Sequence, residues 1–322
     1  MPSALEPKLE RDKEEAIKKI MQRARLFESR DSKLWRLWHD PIRMPIYLLL
    51  NILAKLHPLW VSKKMPWGGK MSFYLPEGNQ VYYYGFCESN LAIFFIRLLG
   101  PGSIIVDVGA NIGFYTALSS WLAGDTGKVL SVEATPRTFS TLNKNCDGKN
   151  NIIPINIALS DSEGEVTLMD YGPKWSCSNS LNPKMPKEVS DFIKAAGTAQ
   201  KVKTVPLDKL LLEHKLHPTF IKMDVEGYES TVLRGMTETL NTARPILSIE
   251  MCKHPEWRDN VNETFDILTA KGYKSYEVSP TGDLAACDRD HYERIDIVFV
   301  PEEKLNAVSH LILNNKHYDR NT

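Results

Sequence analysis

A glycine-rich turn follows an apolar stretch near the middle of the chain. The run IIVDVG (104–109) continues into Ala110, Asn111, Ile112 and Gly113. Glycine at 109 and 113 lets the chain bend tightly and approach a ligand, and the next helix points its first N–H groups there. Glu133 ends the following apolar run, twenty residues past Gly113. An acid at that place can bind both ribose hydroxyls of a nucleoside.

The turn differs from a dinucleotide-binding fingerprint. Its spacing is G-x-N-x-G, so the middle glycine that makes room for a diphosphate is missing. Asp107, just before the turn, would repel a diphosphate but can accept from an ammonium or hydroxyl group. These features favour a nucleoside with a cationic, amino-acid-like tail, and S-adenosylmethionine (SAM) fits that description. A purely structural turn is the plain alternative, and a nucleotide-dependent oxidoreductase is disfavoured.

Three acids end two later apolar runs. Asp224 and Glu226 follow FIKM, and Glu250 ends PILSIE. Strand ends face the ligand crevice in open α/β sheets, so these acids are candidate catalytic groups, with Asp224 as first choice for proton acceptor or hydroxyl ligand. Glu226 could instead cap the next helix. Lys222 alternates with Asp224 on one strand face and could pair with it.

Two further features concern the same edge of the predicted sheet. His254 follows Glu250 closely and is a fourth catalytic candidate, although a loop histidine without a catalytic role is the more usual interpretation. Two or three carboxylates there could hold a divalent cation. We nevertheless assign no metal ligands from the sequence.

Strand and helix patterns alternate through the chain from residue 104. Apolar runs typical of buried strands are followed by helical segments, which predicts an α/β fold with a mainly parallel sheet covered on both faces. YKSYEV and RIDIVFV are predicted as the last two strands, an antiparallel pair at one sheet edge. Residues 172–203 are predicted to be an irregular insertion lining a ligand site.

Five blocks in this order resemble the FkbM-type SAM-dependent methyltransferases. They are VDVGANIGFYT, SVEATPRTF, NIALSDSEGEVTL, IKMDVEGYESTVLRGM and PILSIEM. The resemblance covers roughly residues 80–300. It implies a class I methyltransferase, Rossmann-like fold with a seven-stranded sheet whose last strand is antiparallel. Members mostly methylate hydroxyl oxygens of polyketides, sugars or related metabolites.

The resemblance also implies cofactor-binding positions. The segment Asp107, Gly109, Ala110, Asn111 and Gly113 would surround the methionine part of SAM, and Glu133 would bind the ribose. The adenine would lie near Ala158, Ser160 and Asp161. Glu88 matches an acid common in the family, although it could equally be a solvated charge at a helix N-terminus.

The predicted function is therefore SAM-dependent O-methylation of a sugar, glycolipid or other small metabolite. An N-methyltransferase is an alternative. It is weakened because the motif [DN]-P-P-[YF], common in enzymes that methylate amino groups, is absent after the predicted strand FIKM. A catalytically silent SAM-fold scaffold is the second alternative, and the intact turn with its two acids argues against such decay.

Composition limits the remaining possibilities. The chain has 322 residues with forty basic and forty acidic side chains, so no nucleic-acid partner is expected. Five widely spaced cysteines favour a reducing compartment, and the N-terminus lacks a signal sequence, so a cytoplasmic location is predicted.

We divide the chain into four segments. Residues 1–70 are a helical N-terminal extension, 71–103 a hairpin and helix leading into the core, 104–300 the SAM-binding domain, and 301–322 a C-terminal tail. The hairpin is predicted over MSFYLPEGNQVYYYG (71–85), with Glu77, Gly78 and Asn79 at its tip. Residues 35–70 combine leucines, tryptophans and lysines, the composition of an interfacial anchor on the inner face of a membrane. Packing of these leucines on the main domain is the alternative.

Overall fold

The computed structural model describes residues 6–28, 33–182, 184, 186–193 and 197–313. Three helices come first: α1 (Glu6–Glu28), α2 (Lys33–His39) and α3 (Arg43–Leu56). Helix α1 is charged, but Ala16 and Ile20 on one face are fully buried, so it packs on the domain as an amphipathic helix does. None of the helices in these ranges is long and apolar enough to cross a bilayer.

A two-stranded hairpin follows, at a place that differs from the prediction. Strand β1 (Leu59–Lys64) pairs antiparallel with β2 (Lys70–Leu75), and the chain reverses at Gly68, whose φ is +93°. The predicted hairpin over residues 71–85 with its tip at Glu77–Asn79 is therefore wrong. Its second half forms helix α4 (Asn79–Tyr84), and α5 (Ser89–Leu98) follows as predicted. The glycine at 68 tolerates the left-handed turn conformation that the hairpin requires.

The remaining elements alternate, as the sequence predicts. The strands are β3 (Ile104–Val108), β4 (Lys128–Val132), β5 (Ile152–Ile155), β6 (Ala158–Leu159), β7 (Gly164–Asp170), β8 (Thr198–Val205), β9 (Phe220–Met223), β10 (Ile246–Glu250), β11 (Tyr273–Val278), β12 (Leu284–Ala286) and β13 (Asp296–Pro301). The helices are α6 (Phe114–Ala123), α7 (Pro136–Cys146), α8 (Lys187–Ile193), α9 (Leu207–His214), α10 (Glu229–Arg234), α11 (Thr237–Asn241), α12 (Arg258–Ala270) and α13 (Leu305–Val308).

The central sheet has the order β12-β11-β13-β10-β9-β3-β4-β5. Strands β5, β4, β3, β9 and β10 pair in parallel, whereas β13 is antiparallel to both of its neighbours. This confirms the class I methyltransferase arrangement with an antiparallel last strand. The short β12 adds an eighth strand that the prediction lacked. The last strand also inserts between β11 and β10 instead of forming an edge hairpin with β11 alone.

A second, three-stranded sheet has the order β6-β8-β7. Strand β8 occupies the end of the predicted irregular insertion, and α8 lies within it, so that interpretation of residues 172–203 was only partly right. β8 was missed because Lys201 and Lys203 occupy its outward positions and the polar Gln200 lies on the same face as the buried Val202, which hides the alternation of a half-buried strand.

The C-terminal segment packs on the domain as far as it is described. Val308 and Leu311 are buried, in the short helical turns that follow β13. The last part of the predicted tail, residues 314–322, lies outside the described residues.

The apolar strands fix where polar side chains can lie. Every residue of β9 is buried, and the last four of β3 are buried as well. Asp107 of β3 pairs in register with Lys222 of β9, so two opposite charges lie side by side inside the sheet. The carboxyl ends of β3, β4, β9 and β10 meet at one edge, where the candidate site is found.

Candidate active site at the carboxyl edge of the sheet

The glycine turn after β3 is held by packing within the chain. Gly109 and Gly113 have φ of +71° and +88°, in the left-handed region that glycine tolerates. A Cβ atom on Gly109 would lie 1.8 Å from the backbone oxygen of Asp224, and one on Gly113 would lie 2.7 Å from Leu142 Cδ1. The sequence predicted that these glycines let the chain approach a ligand closely. At these two positions the close contact is with Asp224 and Leu142 of the protein instead.

Glu133 ties the turn to the end of β4. Its Oε2 accepts the backbone N–H of Asn111 at 2.9 Å, and its Oε1 accepts that of Thr135 at 2.8 Å. Asn111 has φ +48° and donates its side-chain amide to the Ser176 carbonyl at 3.2 Å. Ala110, buried, donates its N–H to the last residue of β4. Burial raises the pKa of Glu133.

Asp107 is almost completely buried beneath this turn. Its Oδ2 accepts the Thr116 hydroxyl at 2.6 Å, whereas its Oδ1 has no hydrogen-bond partner in the described part of the chain. Burial raises the pKa of Asp107, and the neighbouring Lys222 counteracts that rise. The predicted acid is therefore at the turn, with one oxygen available.

Asp224, Glu226 and Glu250 form an acidic trio. One carboxylate oxygen from each lies within 4.8 Å of the others, and all three side chains are partly buried. Burial raises the pKa values of Glu226 and Glu250, and repulsion from Asp224 raises both further. The structure thus brings together three of the four predicted catalytic residues. Such a group can share a proton or bind a divalent cation.

Lys222 lies against the trio. Lys222 Nζ is 3.0 Å from Asp224 Oδ2, which confirms the predicted pair. Burial disfavours the charged lysine, but Asp224, Asp107 and Glu88 outweigh it and raise the pKa of Lys222. Lys222 therefore remains a cation, and the ammonium group lies 5.4 Å from the ring centre of Tyr115.

Glu88 belongs to the same charged cluster. The hydroxyl of Tyr115 donates to its Oε2 at 2.6 Å. Burial raises the pKa of Glu88, and so does Asp224, while Lys222 lowers it. Glu88 is therefore not the solvated helix-terminal charge of the alternative interpretation.

The sequence analysis missed Asp296. It starts β13, lies opposite Glu250 in the antiparallel register, and accepts the side-chain amide of Asn90 at 3.2 Å. Burial raises its pKa to about 8, with a further contribution from Glu88. The predicted antiparallel direction of the last strand could have revealed Asp296, because the first residue of such a strand lies at the carboxyl edge of its neighbours.

Glu229, the first residue of α10, holds the loop that precedes this helix. Its Oε1 accepts the N–H groups of Val225 and Gly227 at 3.3 and 3.2 Å, and its Oε2 accepts the Asn260 amide. This fixes the loop that carries Glu226, whose φ of +52° is in the left-handed region. Glu229 is buried and acts on the trio through the loop backbone.

The insertion lies over this loop. Ser180 Oγ donates to the Glu226 carbonyl at 2.7 Å, and the Asn182 amide donates to the Gly227 carbonyl at 2.8 Å. Trp257 closes the other side, because its indole N–H donates to the Lys184 carbonyl at 2.8 Å. The insertion therefore borders the carboxyl edge of the sheet.

The other predicted residues make different contacts. Ala158 pairs with β8 in the second sheet, and Ser160 Oγ is 3.5 Å from the hydroxyl of Tyr228. Asp161 pairs with Arg234 at 3.2 Å. The His254 ring packs against Trp257 at 5.5 Å between ring centres. None of these contacts joins the acidic trio or Glu133, so the adenine and histidine assignments stay predictions.

A family model described as the methyltransferase FkbM domain matches residues 107–275, just over half of the chain. The chain belongs to the FkbM methyltransferase family. The match runs from the acid before the glycine turn to β11 and includes the whole acidic trio. This confirms the predicted family and, at the level of the family, the methyltransferase class.

A curated relative of this FkbM-family chain matches only part of its length. The hexuronic acid methyltransferase AglP of Haloferax volcanii is 30% identical over 145 residues, which are 45% of this chain and 54% of AglP. The match thus spans about half the length of this curated relative.

Two solved structures resemble this chain with low TM-scores. A methyltransferase FkbM from Methylobacillus flagellatus has 17% identity and a TM-score of 0.40, over 70% of this chain and 55% of that one. Fibrillarin of Aeropyrum pernix with bound SAM has 12% identity and a TM-score of 0.38, over 65% of this chain and 72% of that one. These scores are too low to bear on ligand or mechanism.

The residues of the turn fit the family's cofactor. Each oxygen of Glu133 accepts one backbone N–H and keeps capacity for a further donor such as a ribose hydroxyl. The unpartnered Oδ1 of Asp107 is the kind of buried acceptor that a bound donor would satisfy. An acidic turn also suits a sulfonium with an ammonium tail better than it suits a diphosphate.

Proposed function

We propose that the chain catalyses methyl transfer from SAM to a hydroxyl oxygen of a sugar, a glycolipid or a related small molecule. The observation that carries the proposal is the acidic trio of Asp224, Glu226 and Glu250, which lies directly beside the glycine turn. A proton acceptor and a cofactor-binding turn at one strand edge are what hydroxyl methylation needs.

The cofactor-binding part of the proposal rests on two acids and the glycine turn. Glu133 would hold the ribose hydroxyls, and Asp107 with the turn from Gly109 to Gly113 would surround the methionine part. When bound, SAM supplies a methyl group already activated by its sulfonium. The chain's own residues then need to align the acceptor hydroxyl, exclude water and take up a proton.

Proton transfer is assigned to the trio. Lys222 donates to Oδ2 of Asp224, and a carboxylate oxygen can accept more than one hydrogen bond, so Asp224 can also accept from the acceptor's hydroxyl. Burial raises the pKa values of Glu226 and Glu250, so these two carboxyl groups bind a proton more readily than exposed glutamates do. We therefore assign Asp224 as the contact to the acceptor, with Glu226 and Glu250 beside it.

Charge favours an acceptor without a carboxylate near its reacting hydroxyl. The carboxyl groups of Glu88, Asp296 and the trio lie around Lys222. This excess of carboxyl groups repels further negative charge. AglP, by its name, methylates a hexuronic acid. For this chain we favour a neutral or amino sugar, and a comparison of matched hexoside and hexuronide acceptors would decide between them.

The test begins with cofactor binding. Calorimetry should detect SAM binding by the wild type and a large loss of affinity in Glu133→Ala, whereas Asp125→Asn, on an exposed loop, should bind normally. Unchanged affinity in Glu133→Ala would remove the cofactor assignment. A protein that binds SAM but methylates no alcohol or amine would support the scaffold alternative.

The second arm concerns turnover. Asp224→Asn should leave SAM affinity intact and lower kcat by about 10²–10⁴-fold with a true acceptor, the usual contribution of acid–base catalysis. Unaltered turnover would exclude Asp224 as the contact to the hydroxyl. Methylation at nitrogen in the isolated product would support the N-methyltransferase alternative.

A further inference from the structure

The N-terminal helices expose an unusual amount of apolar surface. Twelve large apolar side chains are exposed in the described part of the chain, and ten of them lie between Leu37 and Trp60. These ten are Leu37, Trp38, Ile42, Ile46, Leu48, Leu49, Ile52, Leu53, Leu56 and Trp60. Trp38 is 83% exposed and Ile42 is 74% exposed. Scattered apolar side chains are normal on a surface, but a concentration in one segment marks an interaction site.

Helix α3 has two opposite apolar faces, of which one is already used. Met44, Tyr47, Asn51 and Ala54 recur at helical spacing on the packed face, where Met44 and Ala54 are buried. The Tyr47 ring lies 4.6 Å from that of Tyr83, and Asn51 Oδ1 accepts the Asn79 amide at 2.6 Å. Attachment of α3 to the domain is therefore complete without its other face.

The open face carries Ile42, Ile46, Leu49, Leu53 and Leu56. Their spacing of four, three, four and three residues places them in one stripe, offset by half a turn from the packed stripe. Every member of the stripe is exposed. Packing of the leucines on the main domain, the alternative raised from the sequence, therefore accounts for only one side of this helix.

The charges around the stripe are of one sign. Residues 41–70 contain no acid, and Arg43 and Lys55 are exposed at the two ends of α3. The nearest preceding acid, Asp40, is neutralised by Arg23 at 2.6 Å. Lys144 lies over the exposed ring of Trp60 at 4.0 Å. An apolar stripe bordered by cations and tryptophan complements an anionic lipid surface.

We infer that α3 lies in the interface of a membrane that contains anionic lipids, with the stripe from Ile42 to Leu56 facing the acyl chains. A second copy of the chain is a poorer occupant, because a symmetric contact through the stripe would bring the two sets of cations together. The inference is independent of the methyl-transfer proposal, since it uses no residue of the acidic trio or the glycine turn.

Vesicle sedimentation with the full chain tests the inference. Wild type should sediment with phosphatidylcholine vesicles that contain phosphatidylserine, more weakly with phosphatidylcholine alone, and less as salt is added. Leu49→Glu with Leu53→Glu should lower the partition coefficient at least about tenfold, because two charges would enter the apolar region. The matched control is Leu212→Glu, an equally large change at a site 80% exposed on α9, and it should bind like wild type.

Two further measurements keep the result decisive. Arg43→Glu with Lys55→Glu leaves the stripe intact and should abolish the preference for phosphatidylserine. If Leu49→Glu with Leu53→Glu melts at a lower temperature than wild type, this charge-reversal variant serves as the test instead. Absence of vesicle binding by the wild type overturns the inference, as does equal binding by all variants. A wild-type dimer that becomes a monomer in Leu49→Glu with Leu53→Glu, seen by sedimentation velocity, would assign the face to a second copy and would also overturn it.

Discussion

The replacement Asp296→Asn should make the protein more stable at alkaline pH. Asp296 is buried at the start of β13, beside Glu88 and opposite Glu250. Burial raises its pKa from an ordinary value of 3.8 to about 8, so the folded state favours the protonated acid. Asparagine has the same shape as the protonated acid and cannot ionise.

The sign follows from the direction of the shift. A folded-state pKa above the unfolded value contributes stability that is fully present below the unfolded pKa and is lost as pH rises through the folded pKa. For Asp296 the loss therefore extends from about pH 4 to about pH 8. Asparagine does not incur this loss.

The size of the effect follows from the same numbers. A difference of about four pKa units corresponds to an upper limit of about 5 kcal/mol. Because Glu88 can keep a proton when Asp296 ionises, we expect about 2–4 kcal/mol at pH 8.5 and about 1 kcal/mol at pH 4.5. The Asn90 amide can still donate to the new side-chain oxygen.

Urea unfolding at the two pH values measures this difference. Asp125→Asn serves as the control, because Asp125 is exposed and its replacement should change stability little at either pH. A variant that is no more stable than wild type at pH 8.5, or one that is more stable by the same amount at both pH values, would refute the reasoning.

Three further predictions concern the site. Gly109→Ala should lower the free energy of unfolding, measured with urea, by about 3 kcal/mol or more, because its Cβ would overlap the Asp224 oxygen. The matched control Gly148→Ala should lower it by about 1 kcal/mol, because Gly148 has φ +72° but open space around it. Glu229→Ala should lower kcat more than SAM affinity in paired kinetic and calorimetric measurements, because it frees the loop that carries Glu226. Dialysis against EDTA should leave kcat unchanged, because Lys222 already supplies a positive charge to the trio; recovery of lost activity on adding Mg²⁺ would contradict this.

The sequence predicted the parts of the fold that local pattern encodes. β3, β4, β9 and β10 are apolar runs buried on both sides, and such runs are recognisable without knowing their partners. Because their carboxyl ends must meet at one edge, the acids that follow them could be placed in a common site in advance.

What failed depends on partners distant in the chain. Strand β2 was given to the wrong hairpin, because both of its flanks contain turn residues and the sequence does not state which flank folds back. Strand β8 was missed because its polar outward face resembles a loop. Asp296 entered the site only through the insertion of β13 beside β10, a pairing that no local pattern specifies.

The two halves of the site are held together by contacts inside the protein. Gly109 in the cofactor turn lies against the backbone oxygen of Asp224, whose side chain pairs with Lys222, and Lys222 adjoins Asp107 in the neighbouring strand. A displacement of the turn must therefore move the acid assigned to the acceptor hydroxyl. The absence of a side chain at 109 thus sets the distance between the turn and the acidic trio. Under the proposed function, this distance separates the bound methyl donor from the acceptor hydroxyl.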